Sequence, residues 1–203
     1  MARVLVLFAH PGQRHSKVNV EMAKVARGLE GITFVDLYAD YPTFNIDIDL
    51  EQARLLEHDV LVLQFPIYWY STPSLVKEWQ DLVLEYGFAY GHDGDRLKGK
   101  RLLIAATAGG DEQAYNPQGR NHFSFRTLLS PLEQTANLCQ MEFVPPFVLF
   151  SASKAALDGR AGQHLGDYRA ILEALRDDRF DFAATRHFDV LHHDTLPIQG
   201  ATQ

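Results

Sequence analysis

The sequence predicts an α/β protein: an open, five-stranded parallel sheet with helices on both faces. Three observations predict it. Five short apolar runs end at turn residues, segments with helical apolar spacing alternate with them, and no repeat, low-complexity block or linker divides the chain. Right-handed crossovers leave few topologies, and five such strands favour the order 2-1-3-4-5.

Residues 4–9 form a continuous, β-branched apolar run, as expected of a central strand covered on both faces. Ser16 can cap a helix whose apolar face is Val18, Met22, Val25, Ala26 and Leu29, with Gly31 as its stop. Residues 32–38 are the second strand, and a short helix follows over 50–57. Residues 60–65 are the third strand, stopped by Pro66. Pro73 suits the first turn of a helix facing the core with Leu75, Val76, Trp79, Leu82 and Val83. Residues 86–100 read as a charged, Gly-rich loop and 101–107 as the fourth strand, followed by a long polar loop to Asn121. Phe125, Leu128, Leu129, Leu132 and Ala136 mark a helix that Pro131 complicates. Residues 142–150 hold a fifth strand, interrupted by Pro145 and Pro146, and 165–175 a last helix. Beyond Asp181 no period is visible, so the expected organisation is one domain over 1–180 and a tail over 181–203.

The chain has 203 residues, 46% hydrophobic and 22% charged, which suits one globular domain that needs no disulfide or metal to fold. Its single cysteine, Cys139, reads as a small core residue. A net charge of -7 without a Lys/Arg cluster excludes the basic face of a nucleic-acid binder. The first apolar run is too short for a leader, and none approaches the roughly 18–20 residues needed to span a bilayer, so a cytoplasmic protein is expected. His192 and His193 with Asp189 and Asp194 are the nearest approach to a metal cluster, but adjacent tail residues read better as a solvated surface.

Ligands of an open parallel sheet bind beyond the carboxyl ends of its strands, where the strand order reverses. Three unusual segments converge there. The first, from His10 to Asn19, runs from a strand into a helix start, where free N–H groups and the helix dipole can hold a phosphate. Ser16 can offer its hydroxyl, Asn19 its amide and His10 a ring N–H. The alternative is that Ser16 only caps the helix and His10 only closes a turn. Neither a Gly-x-Gly-x-x-Gly nor a Walker lysine is present. The second segment, Pro66-Ile67-Tyr68-Trp69-Tyr70, places three aromatics directly after a strand; they can flank a flat heteroaromatic ring or serve the core or a subunit contact. The third, Thr107-Ala108-Gly109-Gly110, lets backbone N–H groups approach a ligand, with Tyr115 and His122 on the same loop as groups that can share protons.

Together these segments resemble the flavodoxin-like NAD(P)H:quinone oxidoreductases, the DT-diaphorase family, and within it the ancillary proteins of glutathione-regulated Kef potassium-efflux systems. The resemblance spans Val4 to about Leu175. It is carried by Ala9-His10-Pro11, Ser16-x-x-Asn19, Leu37-Tyr38-x-x-Tyr41-Pro42-x-Phe44, Pro66-x-x-Trp69-Tyr70-Ser71-x-Pro73, Lys77-Glu78-Trp79, Phe88-Ala89-Tyr90-Gly91 and Thr107-x-Gly109-Gly110. It implies a flavodoxin-like fold and phosphate binding by His10, Ser16, Lys17, Val18 and Asn19. It also implies flavin-ring contacts from Pro66, Ile67, Tyr68 and Trp69 and from Thr107, Ala108, Gly109 and Gly110. Tyr115 and His122 fall near the substrate, the latter one residue out of the family's spacing, and Ala108 replaces the usual second threonine. The resemblance further implies FMN rather than FAD, NAD(P)H as co-substrate, two-electron hydride transfer to a quinone, and a homodimer with the tail at its interface. Other readings are a regulatory subunit docked on a potassium-efflux transporter and an azo- or nitro-compound reductase. A one-electron flavodoxin fits poorly, because the Ser/Thr-rich phosphate loop is lacking.

Overall fold

The computed structural model describes residues 1–200. The strands are β1 (Val4–Phe8), β2 (Ile32–Asp36), β3 (Val60–Pro66), β4 (Arg101–Thr107) and β5 (Glu142–Leu149), all parallel, in the expected order β2-β1-β3-β4-β5. Among the described residues they are joined by α1 (Asn19–Arg27), α2 (Leu37–Asp40), α3 (Ile48–Glu57), α4 (Ser74–Val83), α5 (Phe125–Leu128) and α6 (Ser130–Leu138), and β5 is followed by α7 (Ala152–Asp158) and α8 (Arg160–Arg176).

Strand side chains alternate between the faces. Val4, Val6, Val60, Val62, Leu103 and Ala105 point to one side, where they meet Met22 and Ala26 of α1 and Tyr168, Ile171 and Leu172 of α8. Leu5, Leu7, Leu61, Leu63, Leu102 and Ile104 point to the other, against Leu55 of α3, Leu75 and Trp79 of α4, and Leu132 and Ala136 of α6. That second layer encloses a charge: Glu51 is fully buried, accepts from Tyr41 Oη (2.7 Å) and Trp79 Nε1 (2.9 Å), and pairs with Arg54.

Several boundaries differ from expectation. Helix α1 stops at Arg27, with Gly28 rather than Gly31 at its cap; Gly31, at φ 78°, makes the reversal into β2. Pro73 precedes α4 instead of lying in its first turn. The helix expected through Pro131 is two helices, because a proline inside would remove a hydrogen bond, and Pro131 occupies the first turn of α6. Strand β5 continues through Pro145 and Pro146. It is an edge strand, and its register against β4 slips by one between Leu103↔Val144 and Ala105↔Phe147, a bulge that accommodates the prolines. Helix α7 was not foreseen, and α8 starts five residues before the expected helix.

The segment after Asp181 has little regular structure but lies against the domain. Val190 and Leu191 are buried, Leu191 N–H donates to Pro146 O (2.9 Å), and Arg126 Nη1 donates to Phe188 O (2.9 Å). His193 pairs with Asp167 of α8 (2.8 Å), and His192 lies 3.5 Å from Glu112. Residues 201–203 of the expected tail lie outside the described residues. Among the described residues no helix is long and apolar enough to cross a membrane.

Candidate functional site

The carboxyl ends of β1, β3 and β4 bring the three expected segments to one edge of the sheet. A cavity of about 200 Å³ opens between His10, His15, Ser16, Lys17, Val18, Asn19, Thr107, Ala152 and Ser153. Ser16 lies before the helix start at Asn19, yet its Oγ accepts from Val20 N–H (3.2 Å), so it closes the first turn and also lines the cavity. His10 is buried, and its Nδ1 accepts from Gly12 N–H (3.1 Å). The proton of the neutral ring therefore sits on Nε2. Burial pushes the imidazole below its usual value, opposed more weakly by a backbone hydrogen bond and by Asp36, so the ring is neutral at pH 7. Asp36 itself accepts from Gln13 Nε2 (2.9 Å), which fastens the β1–α1 loop to the end of β2.

Beneath the cavity lies a buried polar network that sequence reasoning missed. Gln64, on β3, is fully buried; its Nε2 donates to Asn19 O (2.8 Å) and Asn19 Oδ1 (3.0 Å). Asn19 Nδ2 donates to Thr107 Oγ1 (3.1 Å), and Tyr168 Oη donates to Gln64 Oε1 (2.9 Å). The Asn19 amide expected at the phosphate is thus already tied to Thr107. Thr107 lines this cavity, although the expectation grouped it with the ring-binding backbone. The available signal was a single amide inside an apolar strand run, since an unpaired buried amide is costly. Ala152 and Ser153, at the start of α7, were missed with the helix.

The second segment leaves β3 through Ile67, whose N–H donates to Thr107 O (2.9 Å). Tyr68 and Ser71 then exchange N–H···O bonds at 3.0 Å around Trp69 and Tyr70, which adopt φ 47° and 65°. Two consecutive left-handed residues match a two-residue hairpin turn normally built from Asn and Gly. The turn lifts Trp69 to 93% exposure and leaves Tyr68 and Tyr70 about half exposed. Tyr68 meets His10 edge to face, with centroids 6.0 Å apart, and Tyr70 Oη reaches Asn121 Oδ1 (3.3 Å). The turn thus stands between the first and third segments.

In the third segment Ala108 O and Gly110 O accept from Ala152 and Ser151 N–H. A Cβ on Gly109 would meet only open space, whereas one on Gly110 would press on Tyr115. The Tyr115 ring is wedged against Phe125 and Phe150 at centroid distances of 5.3 and 5.5 Å. Burial, then the neighbouring Tyr70, raises its phenol above the usual value, so it stays protonated at neutral pH. His122 has φ 60° and is exposed. A larger groove of about 500 Å³ lies elsewhere, between α4 and α6, lined by Leu84, Leu132, Leu138 and Cys139 among others.

These features fit a flavin phosphate and ring: a neutral imidazole and hydroxyls around a small cavity at a helix start, and beside it an aromatic turn and a glycine pair. The family described as having a flavodoxin-like fold matches residues 2–172, and the chain belongs to it. The chain is 46% identical, over 79% of its length and 90% of the relative's, to the glutathione-regulated potassium-efflux system ancillary protein KefG of Cronobacter sakazakii. The general stress protein 14 of Treponema denticola, solved in complex with FMN, superposes with a TM-score of 0.80 at 37% identity, covering 85% of this chain and 99% of that one. An NADPH-quinone reductase from P. pentosaceus superposes with a TM-score of 0.75 at 27% identity, covering 83% and 96%.

Proposed function

We propose that this chain is an FMN-dependent NAD(P)H:quinone oxidoreductase. The observation that carries the proposal is the donor-lined cavity at the start of α1, set beside an exposed aromatic turn and an open glycine backbone. His10 Nε2–H and the hydroxyls of Ser16 and Thr107 would hold the phosphate, with Lys17, Val18 and Asn19 supplying the helix start. Pro66, Ile67, Tyr68 and Trp69 would border one part of the ring, and the backbone of Ala108, Gly109 and Gly110 another. The bound flavin would supply two-electron hydride transfer between NAD(P)H and the acceptor. Tyr115, protonated and half buried, would hold a proton next to that acceptor, and His122 would stand at the entrance. The stress protein solved with FMN supports the choice of FMN, and the NADPH-quinone reductase supports the reaction class.

A second reading, docking on a potassium-efflux transporter, is favoured by the 46% identity to the KefG protein. The two roles are compatible. A homodimer is supported by the apolar groove between α4 and α6, whose rim includes the exposed Leu138. The test is an absorbance spectrum of the purified protein with FMN, then NADPH, then a benzoquinone. Bound-flavin bands that bleach with NADPH and return with quinone are expected. Absence of binding by FMN and FAD alike would refute the reading.

A further inference from the structure

The hydrogen bonds beneath the cavity have a forced direction, set by one backbone carbonyl. Asn19 O can only accept, so the Gln64 atom 2.8 Å away must be its NH₂ group. That group also lies 3.0 Å from the Asn19 side chain, which must therefore present its oxygen there and its own NH₂ to Thr107 Oγ1. The other end of the Gln64 amide must be its oxygen, and it accepts from Tyr168 O–H. Every donor points one way, from Tyr168 on α8 through Gln64 on β3 and Asn19 on α1 to Thr107 on β4. Thr107 Oγ1 thereby accepts the Asn19 bond rather than donating to Asn19, and among the described residues its own proton has no acceptor, so it is left for the cavity the residue lines.

From this we infer that Gln64 is the positioning residue of the phosphate site, acting through Asn19 to keep Thr107 a donor toward the cavity. The inference rests on the flavin reading above and extends it to how the site distinguishes an anion from a neutral ligand. A reversed Gln64 amide would turn Asn19, offer Thr107 an oxygen in place of NH₂, and draw the threonine proton away from the cavity. Tyr168 guards against that reversal. Its phenol is fully buried, and burial raises it far above its usual value, so it remains a donor at any pH the fold tolerates. None of these side chains except Asn19 and Thr107 lines the cavity, so Gln64 and Tyr168 act without touching the ligand.

FMN and riboflavin differ only by the phosphate, and their affinities separate this role from a general structural one. Fluorescence titrations of the full chain with each flavin would be compared for the parent, Gln64→Met and Tyr168→Phe. The expected result is FMN affinity about tenfold weaker in each variant, the scale of a lost hydrogen bond to a charged group, with riboflavin affinity unchanged. Tyr168→Phe removes one oxygen without opening a cavity and serves if Gln64→Met does not fold. Unchanged FMN affinity in the variants, or equal weakening of both flavins, would overturn the inference while leaving the flavin reading intact. A parent that binds no FMN would overturn both.

Discussion

A Cβ built on Gly110 would lie 3.1 Å from the Tyr115 ring and 3.3 Å from its phenol oxygen. The glycine is therefore what allows the tyrosine to sit beside the backbone expected to border the flavin. Gly110→Val should displace Tyr115 and obstruct the ring site, giving a folded protein that retains little FMN after gel filtration. Gly110→Ala, which needs only a few tenths of an ångström of adjustment, should retain most of it. Equal flavin content in the parent and the valine variant would show that the ring lies elsewhere.

Tyr115→Phe keeps the ring in its aromatic nest with Phe125 and Phe150 and removes only the hydroxyl. Turnover with a benzoquinone should fall about ten- to hundredfold, in the range of a lost general acid, with flavin content unchanged. His122→Asn tolerates the left-handed backbone and tests the second candidate separately. A turnover equal to the parent's would remove His122 from the chemistry.

Trp69 and Tyr70 hold conformations that cost roughly 1–2 kcal/mol per non-glycine residue. Trp69 recovers little of that through burial, being 93% exposed. Replacing the pair with Asn-Gly should raise unfolding stability by about 1–2 kcal/mol in urea melts and weaken FMN binding. A stabilised variant with full FMN affinity would mean the turn's aromatics do not serve the flavin.

His164 stacks on Phe147 with centroids 4.1 Å apart, its Nε2 has no partner among the described residues, and burial pushes its imidazole down to about 3. The unfolded chain binds a proton near pH 6.5 that the folded chain refuses, so stability is full above that pH and falls as pH drops toward 3. The slope from this group approaches ~1.4 kcal/mol per pH unit. His10, also lowered by burial, acts in the same direction. His193 opposes them: Asp167 raises its value, so its contribution is complete below pH 6.5 and is lost as pH rises through the folded value. Urea midpoints between pH 7 and 5 should decline in the parent and decline less in His164→Phe. Parallel declines would exclude His164 as the cause.

The strands were legible because parallel strands buried on both faces are written as unbroken apolar runs, and the converging loops followed from strand order. Local punctuation misled where two signals competed. Pro145 and Pro146 look like a break, yet an edge strand needs no N–H on its outer side, and the bulge against β4 takes up the loss on the inner side. Gln64 looks like a blemish in a core strand because its partners, Asn19 and Tyr168, lie 45 and 104 residues away. Glu51 shares this property: its carboxylate is satisfied by Tyr41, Trp79 and Arg54, an arrangement visible only once α3 and α4 are packed.

The strap of backbone around Leu191 has a consequence for behaviour in a crowded solution. An open parallel sheet ends in a row of unused peptide groups, a template onto which a strand from another molecule can add. On the β5 side, Pro145 and Pro146 contribute no N–H, and Leu191 N–H occupies Pro146 O. Addition of a further strand is obstructed at that stretch of the margin by the C-terminal segment, which lies beyond the family match ending at residue 172.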